Sequence, residues 1–153
     1  MAKKDFAPET VNKKASFDYF FEQKFEAGIV LTGTEVKSLR KAQVNLTDAY
    51  CVFKNNELWV KNIHIAEYKQ GGYANHIAKS DRKLLMHKRE LVKLQTKLKT
   101  KGTTLIPTRI YFNEKGFAKL EIALARGKKM FDKRQTEKEQ EAKREVARVM
   151  KRF

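Results

Sequence analysis

Residues 103–125 read TTLIPTRIYFNEKGFAKLEIALA, two runs of strand length on either side of Asn113, Glu114, Lys115 and Gly116. In the second run Leu120, Ile122 and Leu124 fall on every other position, which puts them on one face of an extended chain. Asn and Gly tolerate the backbone of a tight turn, so the stretch predicts an antiparallel hairpin. Pro107 has no N–H for a ladder, so its strand must lie at an edge or carry a bulge there. A second hairpin is predicted from AYCVFK (49–54) and ELWVKNIHI (57–65), joined by Asn55 and Asn56.

Further upstream, residues 15–31 (ASFDYFFEQKFEAGIVL) alternate at Phe17, Tyr19 and Phe21 and resume with Ile29, Val30 and Leu31 after Gly28. This is the pattern of one long strand with a bulge or bend at the glycine. Residues 32–43 (TGTEVKSLRKAQ) change period and predict a short helix, with Thr32 and Glu35 at capping-box spacing. Residues 68–81 have loop composition. From Ser80 a helix is predicted, with Leu84, Leu91, Leu94 and Leu98 on one face until Gly102 stops it. Its cations, among them Arg82, Lys83, Lys88, Arg89 and Lys93, are either a solvated face or one that meets phosphate.

The sum is five or six antiparallel strands with two inserted helices. Closing them into a small barrel removes exposed edges, and the oligonucleotide-binding (OB) barrel is the economical form. The expected fold is mainly β: an antiparallel OB-fold-like barrel over residues 13–126, a flexible arm over 1–12, and a basic tail over 127–153.

The 153 residues carry a formal charge of +16. Self-repulsion makes such an excess costly, so a polyanionic partner is implied, nucleic acid before anionic membrane. Charge is divided: residues 126–153 hold 11 Lys or Arg against 5 Asp or Glu, and the rest hold 23 against 13. No stretch reaches the roughly 18–20 apolar residues of a spanning helix. The opening MAKKDFAPET lacks the apolar region of a signal peptide, so a cytoplasmic protein is expected. The single Cys51 lies in an apolar run and reads as a buried, reduced thiol. His64, His76 and His87 have no partners at metal-ligand spacing, and no nucleophile elbow, phosphate loop or close carboxylate pair occurs. Neither an enzyme nor a metal or cofactor site is expected. Cations interleaved with aromatic rings are instead the vocabulary of RNA recognition.

GTEVKSLR (33–40) followed by NLTDAY (45–50) resembles the signature of the small protein B (SmpB) family, partners of transfer-messenger RNA in bacteria. NIHI (62–65), RKLLMHKREL (82–91) and IALARGKKMFDKR (122–134) match in the same order, so the resemblance runs from residue 12 to residue 134. It implies a non-catalytic, monomeric adaptor that binds the tRNA-like domain of transfer-messenger RNA (tmRNA, SsrA) and brings it to stalled ribosomes for trans-translation. Alanyl-tRNA synthetase and the elongation factor that delivers aminoacyl-tRNA would be indirect partners. A generic basic OB-type ribosomal or RNA-chaperone protein is the alternative, and an RNA-processing enzyme on the same barrel a third reading.

By the same resemblance, RNA binding falls on Glu35, Lys37, Arg40, Asn45, Tyr50, Leu85 and His87. Lys37 and Arg40 suit phosphates. Glu35 either accepts from RNA or only caps its helix, Leu85 is either core or a platform for a base, and His87 either contacts RNA or packs. Ribosome contact falls on Lys128, Lys129, Phe131, Asp132, Lys133 and Arg134, facing small-subunit rRNA at the decoding centre and in the mRNA channel. Three departures from the family pattern stand out. Met86 replaces Leu, the usual Pro and Arg before the second helix are missing, and Phe131 stands where His or Tyr is usual. Phe keeps a stacking face and loses the hydrogen-bonding atom. In the tail, Thr136 and Glu139 form a second capping-box pair, and Ala142, Val146, Val149, Met150 and Phe153 form a thin apolar stripe. A helix with so little to bury is marginal alone, so the tail is expected to be disordered when free and helical on the ribosome.

Overall fold

The computed structural model describes residues 9–128 and 130–151, with all side chains in that span except those of residues 74 and 130–133. In chain order the elements are β1 (Thr10–Val11), α1 (Lys13–Asp18), β2 (Tyr19–Ile29), α2 (Gly33–Arg40), β3 (Val44–Asn45), β4 (Tyr50–Lys54) and β5 (Glu57–Lys61). They continue with β6 (His64–Ile65), a 3-10 turn (Gly72–Ala74), β7 (Arg82–Leu85), α3 (Lys88–Lys97), β8 (Thr103–Phe112), β9 (Ala118–Gly127) and α4 (Met130–Met150).

Every pairing is antiparallel, in the order β4-β5-β7-β2-β9-β8, and β8 returns to β4 through Cys51 and Leu105. Six strands therefore close a barrel, flanked by helices, as the strand pattern predicts. β1 lengthens one edge along β8, and β3 and β6 pair separately. Alternation turns Leu58, Val60, Leu84, Leu105, Ile110, Leu120, Ile122 and Leu124 into one interior, which Leu39 of α2 and Leu94 of α3 plug. Burying these side chains is the main stabilising term, at roughly 1.5–3 kcal/mol for each large apolar group.

Both predicted hairpins form. Asn55 and Asn56 take φ of 53° and 63°, the doubly positive turn that a twisted two-residue hairpin needs. In the other, Asn113 Oδ1 accepts from the N–H groups of Lys115 and Phe117, and Gly116 sits at φ 84°. The ladder slips between Pro107 and Arg109, the bulge that a proline inside a strand demands. Cys51 is buried and free, and burial pushes its thiol pKa well above the ordinary value.

Elsewhere the structure corrects the pattern. Residues 15–18, expected as strand, belong to the helix α1, because Asn12 caps it: its Oδ1 accepts from Ala15 N at 3.2 Å, and its amide donates to the carbonyls of Leu46 and Pro107. Glu9–Asn12, the described part of the expected arm, is consequently anchored through β1 and the buried Asn12, while residues 1–8 lie outside the described residues. The slip in β2 falls between Phe21 and Gln23; Gly28 stays in register with Leu85 and Lys119. The run at 57–65 is broken by Asn62 at φ 65°, which sends His64 and Ile65 to pair with β3.

The largest correction concerns residues 80–87. Residues 82–85 are strand, and α3 begins only at Lys88. Leu84 matches the helical spacing of Leu91, but strand alternation places Arg82 and Leu84 inward and leaves Leu85 54% exposed. The tail helix also starts earlier than its capping-box pair suggests. Thr136 lies inside α4, and its hydroxyl accepts from Lys128 Nζ at 2.8 Å.

Candidate nucleic-acid interface

Helix α2 is the best-braced surface element. Thr32 and Glu35 form the predicted capping box, with Thr32 N donating to Glu35 Oε1 at 2.9 Å. The other carboxylate oxygen accepts from Arg82 Nε, and both side chains are buried. Arg82 is saturated further by the carbonyls of Ile63 at 2.7 Å and Ala78 at 3.0 Å. A buried ion pair contributes little net stability, but losing one member strands the other, so the pair fixes a single arrangement of α2 against β7. Glu35 thus sits inside, engaged on both oxygens, where the capping role expected of it is met.

The opposite face of α2 carries Lys37 and Arg40 into solvent. Lys37 Nζ lies 5.3 Å from the centre of the Tyr68 ring, and Arg40 lies 5.8 Å from that of Phe112. The aromatic neighbours lie beside these charged heads without neutralising them. Among the described residues neither has a carboxylate within ion-pair distance. Both stay available to phosphate. Asn45 is exposed and its Oδ1 accepts from Thr47 N at 2.8 Å, fixing the turn that leads to Tyr50. Tyr50 borders a cleft with Lys14, Tyr19, Asp48 and Thr104.

Leu85 and His87 form a separate group. They share a depression with Glu26, Gly28, Met86 and Lys119, and none of Lys37, Arg40, Asn45 or Tyr50 lines it. Leu85 faces outward, so the core reading of this residue gives way to a solvent-facing one. His87 is exposed at the N-cap position of α3, off the apolar stripe of Leu91, Leu94 and Leu98. Lys119 supplies the cation there.

Of the tail residues, Lys128 is described fully. Its backbone N–H donates to Asp18 O at 2.8 Å, its ammonium donates to Ser16 O at 3.1 Å, and its Nζ lies 5.0 Å from the Phe20 ring centre. It ties the root of α4 to α1. Arg134 is exposed. Lys129 and the side chains of Phe131, Asp132 and Lys133 lie outside the described residues. The described part of the predicted stripe is open to water, with Ala142, Val146, Val149 and Met150 all exposed, while Phe153 lies outside the described residues.

Two residues that shape the interface were invisible to pattern. Arg82 stands between Asp81 and Lys83 and looks like surface charge. His76 is buried, with Nε2 donating to Ile65 O at 2.9 Å and Nδ1 bonded to the Thr34 hydroxyl at 2.8 Å. Only a polar residue beside an otherwise apolar packing site could have signalled them, and neither local sequence offers that. On the far wall, Glu121 accepts from Thr108 Oγ1 at 2.7 Å and Arg109 Nε at 2.9 Å. Burial alone pushes its carboxyl pKa up, but these bonds and the charges of Arg109 and Lys24 outweigh it and hold the pKa below the ordinary value. Among the described residues no group of three His, Cys, Asp or Glu could hold a metal, and no helix is long and apolar enough to cross a membrane.

A closed antiparallel barrel of oligonucleotide-binding type, with a rigid basic helix on its flank, is the class that fold and surface define together. Residues 9–152 match the family model described as SmpB protein, and the chain belongs to that family. It is 55% identical over 141 residues to the SsrA-binding protein of Phocaeicola vulgatus, covering 92% of this chain and 94% of that protein. It is 54% identical over 140 residues to that of Wolbachia pipientis wMel, with the same coverage of 92% and 94%. A solved structure described as "tmRNA-SmpB: a journey to the center of the bacterial ribosome" superposes with a TM-score of 0.69 at 49% identity, covering 81% of this chain and 87% of the other.

Proposed function

We propose that this protein is a non-enzymatic adaptor that binds the tRNA-like domain of transfer-messenger RNA and delivers it to stalled ribosomes for trans-translation. The relation to SsrA-binding proteins across 92% of the chain carries the reading. The geometry supports it: α2 is locked from behind by Glu35 and Arg82 and offers two unpaired cations in front. In this reading Lys37 and Arg40 meet phosphates, Asn45 and Tyr50 extend that contact, and Leu85 and His87 give a flat apolar edge beside a ring for an unstacked base. Glu35 acts as a positioning residue. The tail, with Lys128, Lys129, Phe131, Asp132, Lys133 and Arg134 first, enters the decoding centre and empty mRNA channel. Alanyl-tRNA synthetase and the elongation factor meet the protein through the RNA they share, in the cytoplasm, with the protein acting as a monomer.

Sequencing the RNAs that co-purify with the tagged protein tests the proposal. Strong enrichment of transfer-messenger RNA is expected. An even spread of messages and ribosomal RNA would sink it and favour a general RNA chaperone.

A further inference from the structure

The strap between β6 and β7, residues 66–81, has turn composition yet is pinned along its length. Asn75 Oδ1 accepts from Tyr68 N at 3.1 Å and its amide donates to Tyr68 O at 2.6 Å. His76 next to it is fixed between Thr34 and Ile65, and the guanidinium of Arg82 holds the carbonyl of Ala78. Gly71 packs so closely that a Cβ there would lie 2.9 Å from the Asn75 amide and 3.1 Å from Thr34 Cγ2, which seats the following turn against the first turn of α2. Gly72, at φ 57°, completes that turn.

From this pinned strap two side chains project that no other described residue covers. Tyr73 is 108% exposed and Ile77 76% exposed. A loop pinned by this many side-chain bonds need not leave an aromatic ring wholly in water, since a ring hidden from solvent gains free energy. The surroundings are cationic. Lys37 and Lys41 both lie over Tyr68, at 5.3 and 5.1 Å from its ring centre, and Lys69 and Lys79 belong to the strap itself. Among the described residues none of these four lysines has an ion-pair partner, and Glu67 is the strap's unpaired acid. An exposed ring on a strap that carries and adjoins uncompensated cations suits a nucleic acid with an unpaired base better than a protein face.

We infer that Tyr73 is a stacking platform for one unpaired base of the bound RNA, with Ile77 as its apolar edge and Lys37, Lys41, Lys69 and Lys79 drawing in the flanking phosphates. The inference rests on the RNA-binding function proposed above and adds a contact to it. The pinned strap fixes where the ring is presented, so binding orders only the side chain and not the loop that carries it.

The sequence contains one tryptophan, Trp59. A Trp59→Phe, Tyr73→Trp double variant therefore reports from position 73 alone. On titration with transfer-messenger RNA, its emission should be strongly quenched, and the quenching should saturate together with binding measured by gel shift. Tyr73→Ala should weaken binding roughly 5- to 150-fold without changing the salt slope, and Tyr73→Phe should stay within about 2-fold of the parent. Circular dichroism confirms that each variant is folded. RNA binding by the double variant with unchanged emission, or wild-type affinity in Tyr73→Ala, overturns the platform. Emission that responds to a purified ribosomal protein but not to the RNA overturns it in favour of a protein partner. Failure of the wild-type chain to bind the RNA at all would instead remove the functional reading on which the platform stands.

Discussion

In the barrel, charge is turned inward and used as a fastener: Arg82 and Glu35 are buried together, and the side-chain polar atoms of the buried Asn12 and His76 are all hydrogen-bonded. In α4 the reverse holds. Of its described side chains, all except Thr136 are exposed, and among the described residues nothing covers the apolar stripe. The barrel is ordered by its own interior and can present a fixed surface. Helix α4 holds its shape mainly through local bonds, and its root is tied to the barrel by Lys128. A surface that must recognise one RNA gains from rigidity. A segment proposed to enter the mRNA channel gains from being easy to reshape.

Breaking the fastener should have the largest effect. Arg82→Ala should lower stability in urea denaturation by about 3–5 kcal/mol, since it leaves Glu35 buried and unpaired. Replacing both members, as Arg82→Met with Glu35→Leu, should recover most of that loss. If the double variant were as unstable as the single one, the penalty would lie in packing and not in the stranded charge.

Hydrogen exchange sharpens the contrast next. Amides of α4 should exchange at least about a hundredfold faster than those of β2 and β9, whose opening requires unfolding the barrel. Equal protection would show that α4 is docked more firmly than its exposure indicates.

A smaller effect is expected on the outer face of α2. Lys37→Ala with Arg40→Ala should make the slope of log affinity against log salt shallower by about one to two, one for each phosphate no longer neutralised. An unchanged slope would leave both cations as solvent-facing charge.

The smallest effect belongs to Glu121. Its folded pKa is depressed from the ordinary value of 4.5, so its contribution is complete above that pH and fades as pH falls through the folded pKa. Thermal melts of Glu121→Gln should show a weaker loss of stability below pH 4.5 than the wild type does. Parallel melting curves would mean that the Thr108 and Arg109 bonds do not favour the ionised form.

Much of the barrel was legible because its strands alternate: Leu120, Ile122 and Leu124 in one hairpin, and Asn55 with Asn56 at the turn of the other, announce themselves locally. The capping box at Thr32 and Glu35 was equally plain. What stayed hidden depended on partners far along the chain. Residues 82–85 read as helix because Leu84 and Leu91 share a helical face, and only the Glu35 carboxylate, 47 positions away, explains why Arg82 points inward. The helix at Lys13–Asp18 was masked by the alternation of Phe17, Tyr19 and Phe21, while its cause, Asn12, is bonded to Leu46 and Pro107. Of the proposed site, the cations of α2 could be read from sequence. The exposure of Leu85 and His87 followed only once β7 was known to be a strand.

The division of labour between barrel and tail is tested most directly by one paired assay. The full chain and a chain ending at Gly127 are titrated with the tRNA-like domain of transfer-messenger RNA, and the same samples are assayed for tagging of a nascent chain on stalled ribosomes. The account predicts affinities within about threefold of each other, because the contacts assigned to RNA lie in the barrel, with tagging abolished in the shortened chain. Loss of RNA binding along with the tail, or tagging that survives without it, would contradict the account.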